Sequence, residues 1–480
     1  MENSICQELG GIIGQERILA GSRTGLGFGR DALALVRPTH AGEVQALVTW
    51  ARDRSMKLIP VSSGLPHQHG GSTPRGPAVI VDLSMMDRII RIDRRNRMVM
   101  IEPGVRFEWL RSTLESEGLR LPMPLRPRAT KSVIFSSLER EPTTLPKYQW
   151  DHMDPLCCVE VVLGDGHLFR TGTAAGPGTL EQQWAAGDAQ VNNMGPAQAD
   201  FGRLFQGAQG TLGIVTWGSL LLEVMPSIEE IYLSGAETPE VFAETTHWLL
   251  RLRLADELFV LSRTYLAGLY AIDPAERSIL VKGLPEFVLA YSISGAGPLD
   301  RKQINYRRSD VADLLKKYGC RSEISIAGLS GKALMGRVKM VSGDPYWKLA
   351  MKGGVKEVFF ETTYDQIPVF MAVVHTACRD IGYDAGRIAV YLQPQLGGRS
   401  CHVEFLFPFR PDDSRDSQTA AELASGLIEP LIDRGAYYGR PYGEWASALF
   451  RRDPVTHNAL KKVKDIFDPH HLFNPGQLGL

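Results

Sequence analysis

The sequence predicts an α+β protein with more than one domain, and three observations carry this prediction. Its 480 residues exceed what a single compact core usually organises. Up to about residue 225, short apolar runs alternate with helical stripes. After Pro226, the order strand, helix, strand occurs twice, which favours an antiparallel sheet backed by helices.

The composition excludes several classes of function. Fifty-three basic and 54 acidic residues leave a formal charge of −1, which argues against a dedicated nucleic-acid binder. No apolar run reaches the 18 residues of a spanning helix, and residues 1–19 lack the order of an export signal. Six scattered cysteines without a C-x-x-C pair are typical of buried thiols. We therefore expect a cytoplasmic protein without a metal site built on cysteine.

The elements of the first part follow one another at short intervals. Val44, Leu47, Val48 and Ala51 form the stripe of a helix for which Thr39 is the predicted N-cap. A second helix is predicted to begin at 107. Short apolar runs predict strands at 58–61, 79–83, 89–92, 98–101, 159–163 and 168–171.

Two irregular stretches, 123–150 and 172–200, interrupt this order. The first contains several prolines, and a loop that long inside a compact domain is usually functional or disordered. Beyond the boundary at Pro226, the pattern predicts helices at 241–254, 309–318, 366–381 and 459–467, with strands at 287–293, 387–392 and 402–407.

A glycine-rich stretch, 60–74, is the first candidate binding segment. It matches neither G-x-G-x-x-G nor a P-loop, and no lysine follows Gly71, so Rossmann and P-loop assignments are excluded. It is either a surface loop or a turn whose backbone N–H groups hold a phosphate. His67 and His69 would need a third ligand to bind a metal, and none is identifiable.

Seven segments in order resemble the flavoprotein family of vanillyl-alcohol oxidase and 4-cresol dehydrogenase (p-cresol methylhydroxylase), and together they span most of the chain. They are 63–74, 79–90, 102–105, the Trp-Asp-His of 150–152 followed by 157–166, 170–172, the G-x-x-G-x-x-G-I-V-T signature of 207–216, and 463–476.

The resemblance implies a PCMH-type FAD-binding domain (1–225), a cap domain with an antiparallel sheet covered by helices (226–440), and a C-terminal segment that returns to the FAD domain (441–480). It implies FAD as the cofactor, with the backbone of 62–71 around the pyrophosphate. The implied cofactor-binding residues are Ser62, Ser63, Gly64, Leu65, Pro66, His67, His69, Gly70, Gly71, Glu102, Pro103, Gly104, Gly207, Gly210, Gly213, Ile214 and Asn474.

The resemblance also implies catalytic residues. The family's aspartate lies beside flavin N5, so Asp151 is expected to accept the substrate's proton or to stabilise charge as hydride leaves; from the sequence alone it is an ordinary loop residue. Phenol-oxidising members hold the phenolate with two tyrosines and an arginine. The first tyrosine falls on Phe107, which has no hydroxyl. Arg440, with Tyr438 or Tyr442, is therefore the expected anchor for a phenolate or a carboxylate.

The motif around His402 differs between two subfamilies. The related D-2-hydroxyacid dehydrogenases carry H-x-G-D-G-N-x-H here, and their two histidines and a later glutamate bind a divalent metal. Gln395 replaces the first histidine and Asp433 replaces the glutamate, so we expect no metal. His402 is then either an acid or base that faces the substrate or a buried structural histidine.

The leading hypothesis is an FAD-dependent oxidoreductase that takes a hydride from a benzylic or alcoholic C–H of a small phenolic or anionic substrate. Two alternatives stay open: a D-2-hydroxyacid dehydrogenase, and a flavin-bearing electron-transfer subunit of a larger complex. The expected partners are the substrate, an electron acceptor (a cytochrome, a quinone, an electron-transfer flavoprotein or dioxygen) and further subunits of a homo- or hetero-oligomer.

Overall fold

The computed structural model describes residues 2–21, 28–29, 31–64, 72–197, 199–271 and 273–480. Its first part contains the helices α1 Glu2–Ile13, α2 Ala41–Arg54, α3 Phe107–Ser116, α4 Val133–Leu138, α5 Leu180–Ala185 and α6 Gly202–Phe205. The strands of this part are β1 Ile18–Ala20, β2 Ala32–Val36, β3 Lys57–Val61, β4 Ala78–Asp82, β5 Ile89–Asp93, β6 Met98–Ile101, β7 Leu119–Arg120, β8 Leu156–Val162, β9 Leu168–Arg170, β10 Ile214–Leu221 and β11 Glu223–Val224.

Two sheets organise this first part. The strand order of one is β1-β2-β4-β3, in which β4 pairs parallel to both β2 and β3. Its inner strands are continuous apolar runs, as parallel strands covered on both faces require. The other sheet, β5-β6-β10-β8-β9, is antiparallel throughout.

The second part forms a six-stranded antiparallel sheet, the cap sheet, with the order β12-β14-β13-β18-β19-β17. The predicted α+β class is therefore confirmed, although three strands that the sequence did not reveal (β12, β13 and β17) belong to this sheet. The strands are β12 Ile228–Ala236, β13 Leu258–Ser262, β14 Phe287–Gly295, β15 Ser325–Ile326, β16 Leu329–Ser330, β17 Gly354–Thr362, β18 Ala389–Gln395 and β19 Ser400–Phe409. The helices are α7 Ala243–Arg251, α8 Arg263–Tyr270, α9 Pro274–Gly283, α10 Asp300–Lys317, α11 Gly331–Lys339, α12 Trp347–Ala350, α13 Ile367–Ile381, α14 Ser414–Gly426 and α15 Ile428–Asp433.

The last helices, α16 Gly443–Arg452 and α17 Pro454–Phe467, lead the chain from the cap back to the first part. Trp445 packs with the cap core, whereas Phe473 packs with the core of the four-stranded sheet. The N–H of Leu58 in β3 donates to the Leu472 carbonyl at 2.8 Å. The end of the chain is thus hydrogen-bonded to a strand more than 400 residues earlier.

Two local predictions are changed by the structure. The N-cap of α2 is His40, whose Nδ1 accepts from the Glu43 N–H at 3.3 Å; the Thr39 N–H instead donates to the Glu43 carboxylate. The irregular stretch 123–150 is ordered and contains α4. All six cysteines are buried, and none of them forms a disulfide. Of the helices described, none combines the length and the apolar character needed to cross a membrane.

Candidate functional site

A large cavity is bounded by residues of both sheets of the first part, by the segment 124–142 and by the cap sheet. Its empty space, counted out to the solvent at its mouth, is about 1750 Å³. Two groups of lining residues differ in character. We call the first the backbone wall: Pro60, Val61, Ser62, Ser63, Gln209, Gly210, Leu212, Gly213 and Asn474. We call the second the charged wall: Arg128, Lys131, Glu139, Glu141, Lys348, Glu357, Glu404 and Arg440.

The backbone wall follows from the topology. Its residues 60–63 lie at the carboxyl end of β3, and ligands in α/β sheets bind at the carboxyl ends of parallel strands. Residues 209–213 approach from the turn before β10, and Asn474 Nδ2 donates to the Gln209 carbonyl at 2.7 Å. The wall is therefore assembled from three distant parts of the sequence.

The cofactor-binding residues expected from the sequence fall into three groups. Ser62, Ser63, Pro103, Gly210, Gly213 and Asn474 line the cavity. The second group lies next to cavity-lining residues in the sequence but does not itself line the cavity: Gly64, Glu102, Gly104, Gly207 and Ile214. Outside the described residues lie Leu65, Pro66, His67, His69, Gly70 and Gly71.

Protein neighbours require glycine at 210 and 213, the two expected cofactor-binding glycines that line the cavity. Gly210 has a φ of +69°, and a Cβ there would lie 2.8 Å from Cγ of Pro60. A Cβ on Gly213 would lie 2.5 Å from Val161 Cγ1. The two glycines therefore let the turn approach β3 and β8 closely.

The backbone wall fits FAD. It combines the small residues Ser62 and Ser63 with apolar side chains such as Leu212, which suits a ligand with both a phosphate group and a flat ring. Gln209 Oε1 is buried and accepts no hydrogen bond from any described residue, so it can accept one from a ligand N–H such as that of the isoalloxazine ring.

The segment 124–142 supplies four ionisable groups of the charged wall. Lys131 forms an ion pair with Glu141, whose other carboxylate oxygen accepts from Ser136 Oγ at 2.6 Å. Burial opposes ionisation of Glu141, but the charges of Lys131 and Arg440 and this hydrogen bond outweigh it and lower its pKa to about 2. Sequence reasoning missed these residues, and the length of the irregular stretch was the only sign of them.

The pKa of Glu139, two residues earlier, is shifted in the opposite direction. It caps the carboxyl end of α4, is 7% exposed and lines the cavity. Among the described residues, no hydrogen bond or ion pair reaches its carboxylate. Burial raises the pKa of Glu139 to about 7 despite the charges of Arg440 and Lys131.

The cap sheet supplies the rest of the charged wall. Strand alternation places Glu357 and Phe359 of β17 on the same face as Glu404 of β19, because Phe359 pairs directly with Glu404. Lys348 Nζ lies 2.8 Å from the Glu404 carboxylate and 3.3 Å from that of Glu357, and Tyr265 donates its hydroxyl to Glu404 at 3.0 Å. Burial disfavours the charge on Lys348, but the two carboxylates raise its pKa well above the usual value.

Arg440 stands apart from these pairs. Its guanidinium lies 4.4 Å from the centroid of the Phe359 ring and lines the cavity. No hydrogen bond or ion pair connects it to another residue in the ranges that the structure describes. Tyr442 lines the cavity with it, whereas Tyr438 packs against Phe360 and Trp445 away from the wall. Of the two candidate tyrosines, the structure therefore brings Tyr442, not Tyr438, to Arg440's cavity.

Asp151 is not among the residues that line the cavity. Its carboxylate lies 2.5 Å from Nη2 of Arg203 and accepts from the Met153 N–H at 3.0 Å, and its side chain is 24% exposed. Burial opposes its ionisation, but Arg203 outweighs this and lowers the pKa of Asp151. The role beside flavin N5 stays a prediction that this geometry does not support.

His402 is buried on the cap sheet, with Nδ1 3.2 Å from the Glu361 carboxylate. It packs against Phe359 and Tyr391, which line the cavity, while His402 itself does not. Asp433 forms an ion pair with Arg452 at the surface. Within the described part of the chain, no three His, Cys, Asp or Glu side chains are arranged to hold a metal.

Phe107, at the position of the family's first tyrosine, lies in the core beneath the antiparallel sheet of the first part and not on the cavity. Position 107 therefore supplies no hydroxyl group to the cavity.

Comparisons with known proteins agree with this architecture. Residues 32–172 match the model of a family described as an FAD binding domain. A 1'-carboxy-chondrochloren decarboxylase of Chondromyces crocatus is 30% identical over 200 residues, which cover 42% of this chain and only about a third (35%) of that protein's length. A probable mitochondrial D-lactate dehydrogenase of Danio rerio is 28% identical over 97% of this chain and 90% of its own.

Among solved structures, p-cresol methylhydroxylase with substrate bound superimposes with a TM-score of 0.82 over 100% of this chain and 96% of its own, at 18% identity. The chain thus carries an FAD-binding domain and has the p-cresol methylhydroxylase fold over its whole length. Its fold is that of p-cresol methylhydroxylase and of a 4-ethylphenol oxidase from Gulosibacter chungangensis, and the FAD-binding domain identifies FAD as its cofactor.

Proposed function

We propose that this protein oxidises a small phenolic substrate by removing a hydride from a C–H bond beside the aromatic ring or beside a hydroxyl. The observation that carries the proposal is the position of Arg440, a guanidinium without an ion-pair partner among the described residues, in a cavity that also contains the backbone wall. FAD, when bound, supplies the two-electron acceptor for the hydride.

Arg440 would anchor the substrate's anionic end. A guanidinium stays charged at any physiological pH and stabilises an oxyanion by a charge-assisted hydrogen bond. The rings of Phe359, Tyr391 and Tyr442 on the same wall offer flat apolar surfaces for an aromatic ring. A substrate of this class would thus place its ring between aromatic side chains and its oxygen at the guanidinium.

The rest of the wall would exclude water from the reacting carbon. Leu212 of the backbone wall, and Leu83 and Pro103 beside it, line the cavity and have no polar side-chain atoms. Charges in a site without water interact more strongly than in bulk solvent, which would favour binding of the substrate as an anion.

The test is anaerobic reduction of the FAD-loaded protein by a panel of donors. We expect a para-alkylphenol to bleach the flavin absorbance and D-lactate to leave it unchanged. An Arg440→Met variant should retain FAD. Its half-maximal flavin reduction should need at least about tenfold more para-alkylphenol, since a hydrogen bond to a charged group contributes about 1.5–3 kcal/mol. Arg452→Met, which removes a surface-paired arginine, is the matched control.

A second candidate function is the oxidation of a D-2-hydroxyacid. It is supported by the likeness to D-lactate dehydrogenase over nearly the full length of both chains, and Arg440 could hold a carboxylate bidentately. Bleaching by D-lactate alone would establish it. If no small donor bleaches the flavin and a second redox protein co-purifies, the chain is an electron-transfer subunit instead.

A further inference from the structure

Among the carboxylates of the cavity, Glu139 alone has no ion-pair or hydrogen-bond partner in the described part of the chain. Glu141 is held by Lys131 and Ser136, and Glu404 by Lys348 and Tyr265. Glu357 lies 3.3 Å from Lys348. A buried carboxylate without a partner is costly, so such groups are found where chemistry needs them.

The charges around Glu139 come from both sides of the cavity. Lys131, Arg140 and Glu141 act on its charge from its own segment, and Arg440, which lines the same cavity, acts on it from the cap. Lys131 is neutralised by Glu141, and Arg140 donates to the Gly439 carbonyl. Arg440 is therefore the cation whose charge Glu139 balances most directly when it is ionised.

We propose that Glu139 accepts the proton of the substrate's phenolic hydroxyl as that oxygen binds to Arg440 as an anion. In this step the O–H bond breaks, the proton goes to the Glu139 carboxylate, and the electron pair stays on the oxygen beside the guanidinium. No oxidant or reductant takes part. The inference rests on the proposed phenolic substrate class and adds the group that makes the phenolate.

Charge balance in the buried cavity is the physical reason. Before binding, Arg440 faces an ionised Glu139; afterwards it faces a phenolate, and Glu139 is neutral. The net charge of the cavity is unchanged, so the protein avoids burying an additional charge, which would cost several kcal/mol. A carboxyl group that titrates near neutral pH can serve as this acceptor at physiological pH.

The experiment counts protons during binding, without turnover. Phenol itself, which has no alkyl group to oxidise, is titrated into the FAD-loaded protein by calorimetry in buffers of different ionisation enthalpy at pH 6 and pH 8. At pH 8 the wild type should release no proton to the buffer, because Glu139 takes it. At pH 6 Glu139 is already protonated, so about one proton should be released and the affinity should fall.

Glu139→Gln should release about one proton at both pH values, because the amide cannot accept it. Glu108→Gln, an exposed change on α3, should keep the wild-type counts. The inference would be overturned if Glu139→Gln released no proton when phenol binds. It would also be overturned if the number of protons released by the wild type did not change with pH. The wild-type counts test it even if Glu139→Gln fails to fold.

The outcomes also separate the two proposals. If phenol does not bind the FAD-loaded protein, the phenolic substrate class is wrong and the inference falls with it. If phenol binds and reduction by para-alkylphenols occurs, but the proton counts do not depend on Glu139, only the inference is wrong.

Discussion

The two walls of the cavity are built on different principles. The backbone wall, which we propose as the FAD side of the cavity, consists of turns, a proline and glycines brought together by β3, β10 and the chain's end. The charged wall contains eight ionisable side chains, drawn from residues 128–141 and from the cap. The shape of the backbone wall depends on the path of the main chain. The electrostatic character of the charged wall depends on the side chains that line it.

Two buried lysines show the same contrast: Lys464 lies beside the backbone wall, and Lys348 belongs to the charged wall. Lys464 is 2% exposed and donates to the carbonyls of Thr211 and Phe473 while pairing with Asp468 at 2.8 Å, so it joins α17 to the backbone wall. Lys348 pairs with two glutamates and faces the cavity. Lys464 holds main-chain segments together, whereas Lys348 contributes to the net charge of the cavity that a ligand enters.

The largest effect is expected at Lys464. Lys464→Met leaves Asp468 buried without its cation, which should lower the free energy of unfolding by about 3–5 kcal/mol and weaken FAD retention. Lys462→Met, an exposed change on the same helix, should stay within about 0.5 kcal/mol. Urea unfolding and the flavin content of the purified protein measure both effects. Equal stability of the two variants would show that this pair does not hold the backbone wall.

An intermediate effect is expected in the charged wall as pH changes. Burial raises the pKa of Glu139 from 4.5 to about 7, so between these values the folded protein binds more protons at this site than the unfolded chain does. Stability should therefore fall as pH rises from 4.5 to 7, by on the order of 1–3 kcal/mol. Glu141, whose pKa is lowered to about 2, should cause the reverse loss as pH falls from 4.5 towards 2.

Unfolding by urea at pH 5 and pH 8 measures the first of these losses. Glu139→Gln should lack it, while Glu108→Gln should follow the wild type. If the stability of Glu139→Gln depended on pH as that of the wild type does, the Glu139 carboxyl group would titrate normally. The charged wall would then differ less from the backbone wall in its response to pH.

The smallest effect is expected at Asp151, which lies on neither wall. Its contact with Arg203 is a partly exposed ion pair, and such pairs contribute about 0–1 kcal/mol. Asp151→Asn should therefore lower stability by less than about 1 kcal/mol and leave the rate of anaerobic flavin reduction within about threefold. Stopped-flow absorbance measures the rate. A loss of several hundredfold would restore Asp151 to the role that its sequence context predicts.

Local pattern was sufficient for much of the fold. The stripe of Val44, Leu47 and Val48 lies on the buried face of α2, and the runs at 79–83 and 159–163 are the buried strands β4 and β8. The pattern did not reveal three strands of the cap sheet, β12, β13 and β17. Strand β17 was missed because Lys356, Glu357 and Glu361 interrupt its apolar residues.

The sequence by itself determined the α+β class and the buried faces of elements such as α2 and β4, because periodicity and local backbone conformation are encoded within a few residues. Only the tertiary structure decided which charges meet. Glu139 lines the same cavity as Arg440, 301 positions later in the numbering, whereas Asp151 contacts Arg203 and does not line the cavity. The protonation of a carboxyl group depends on its burial and on the charges around it, and chain folding sets both.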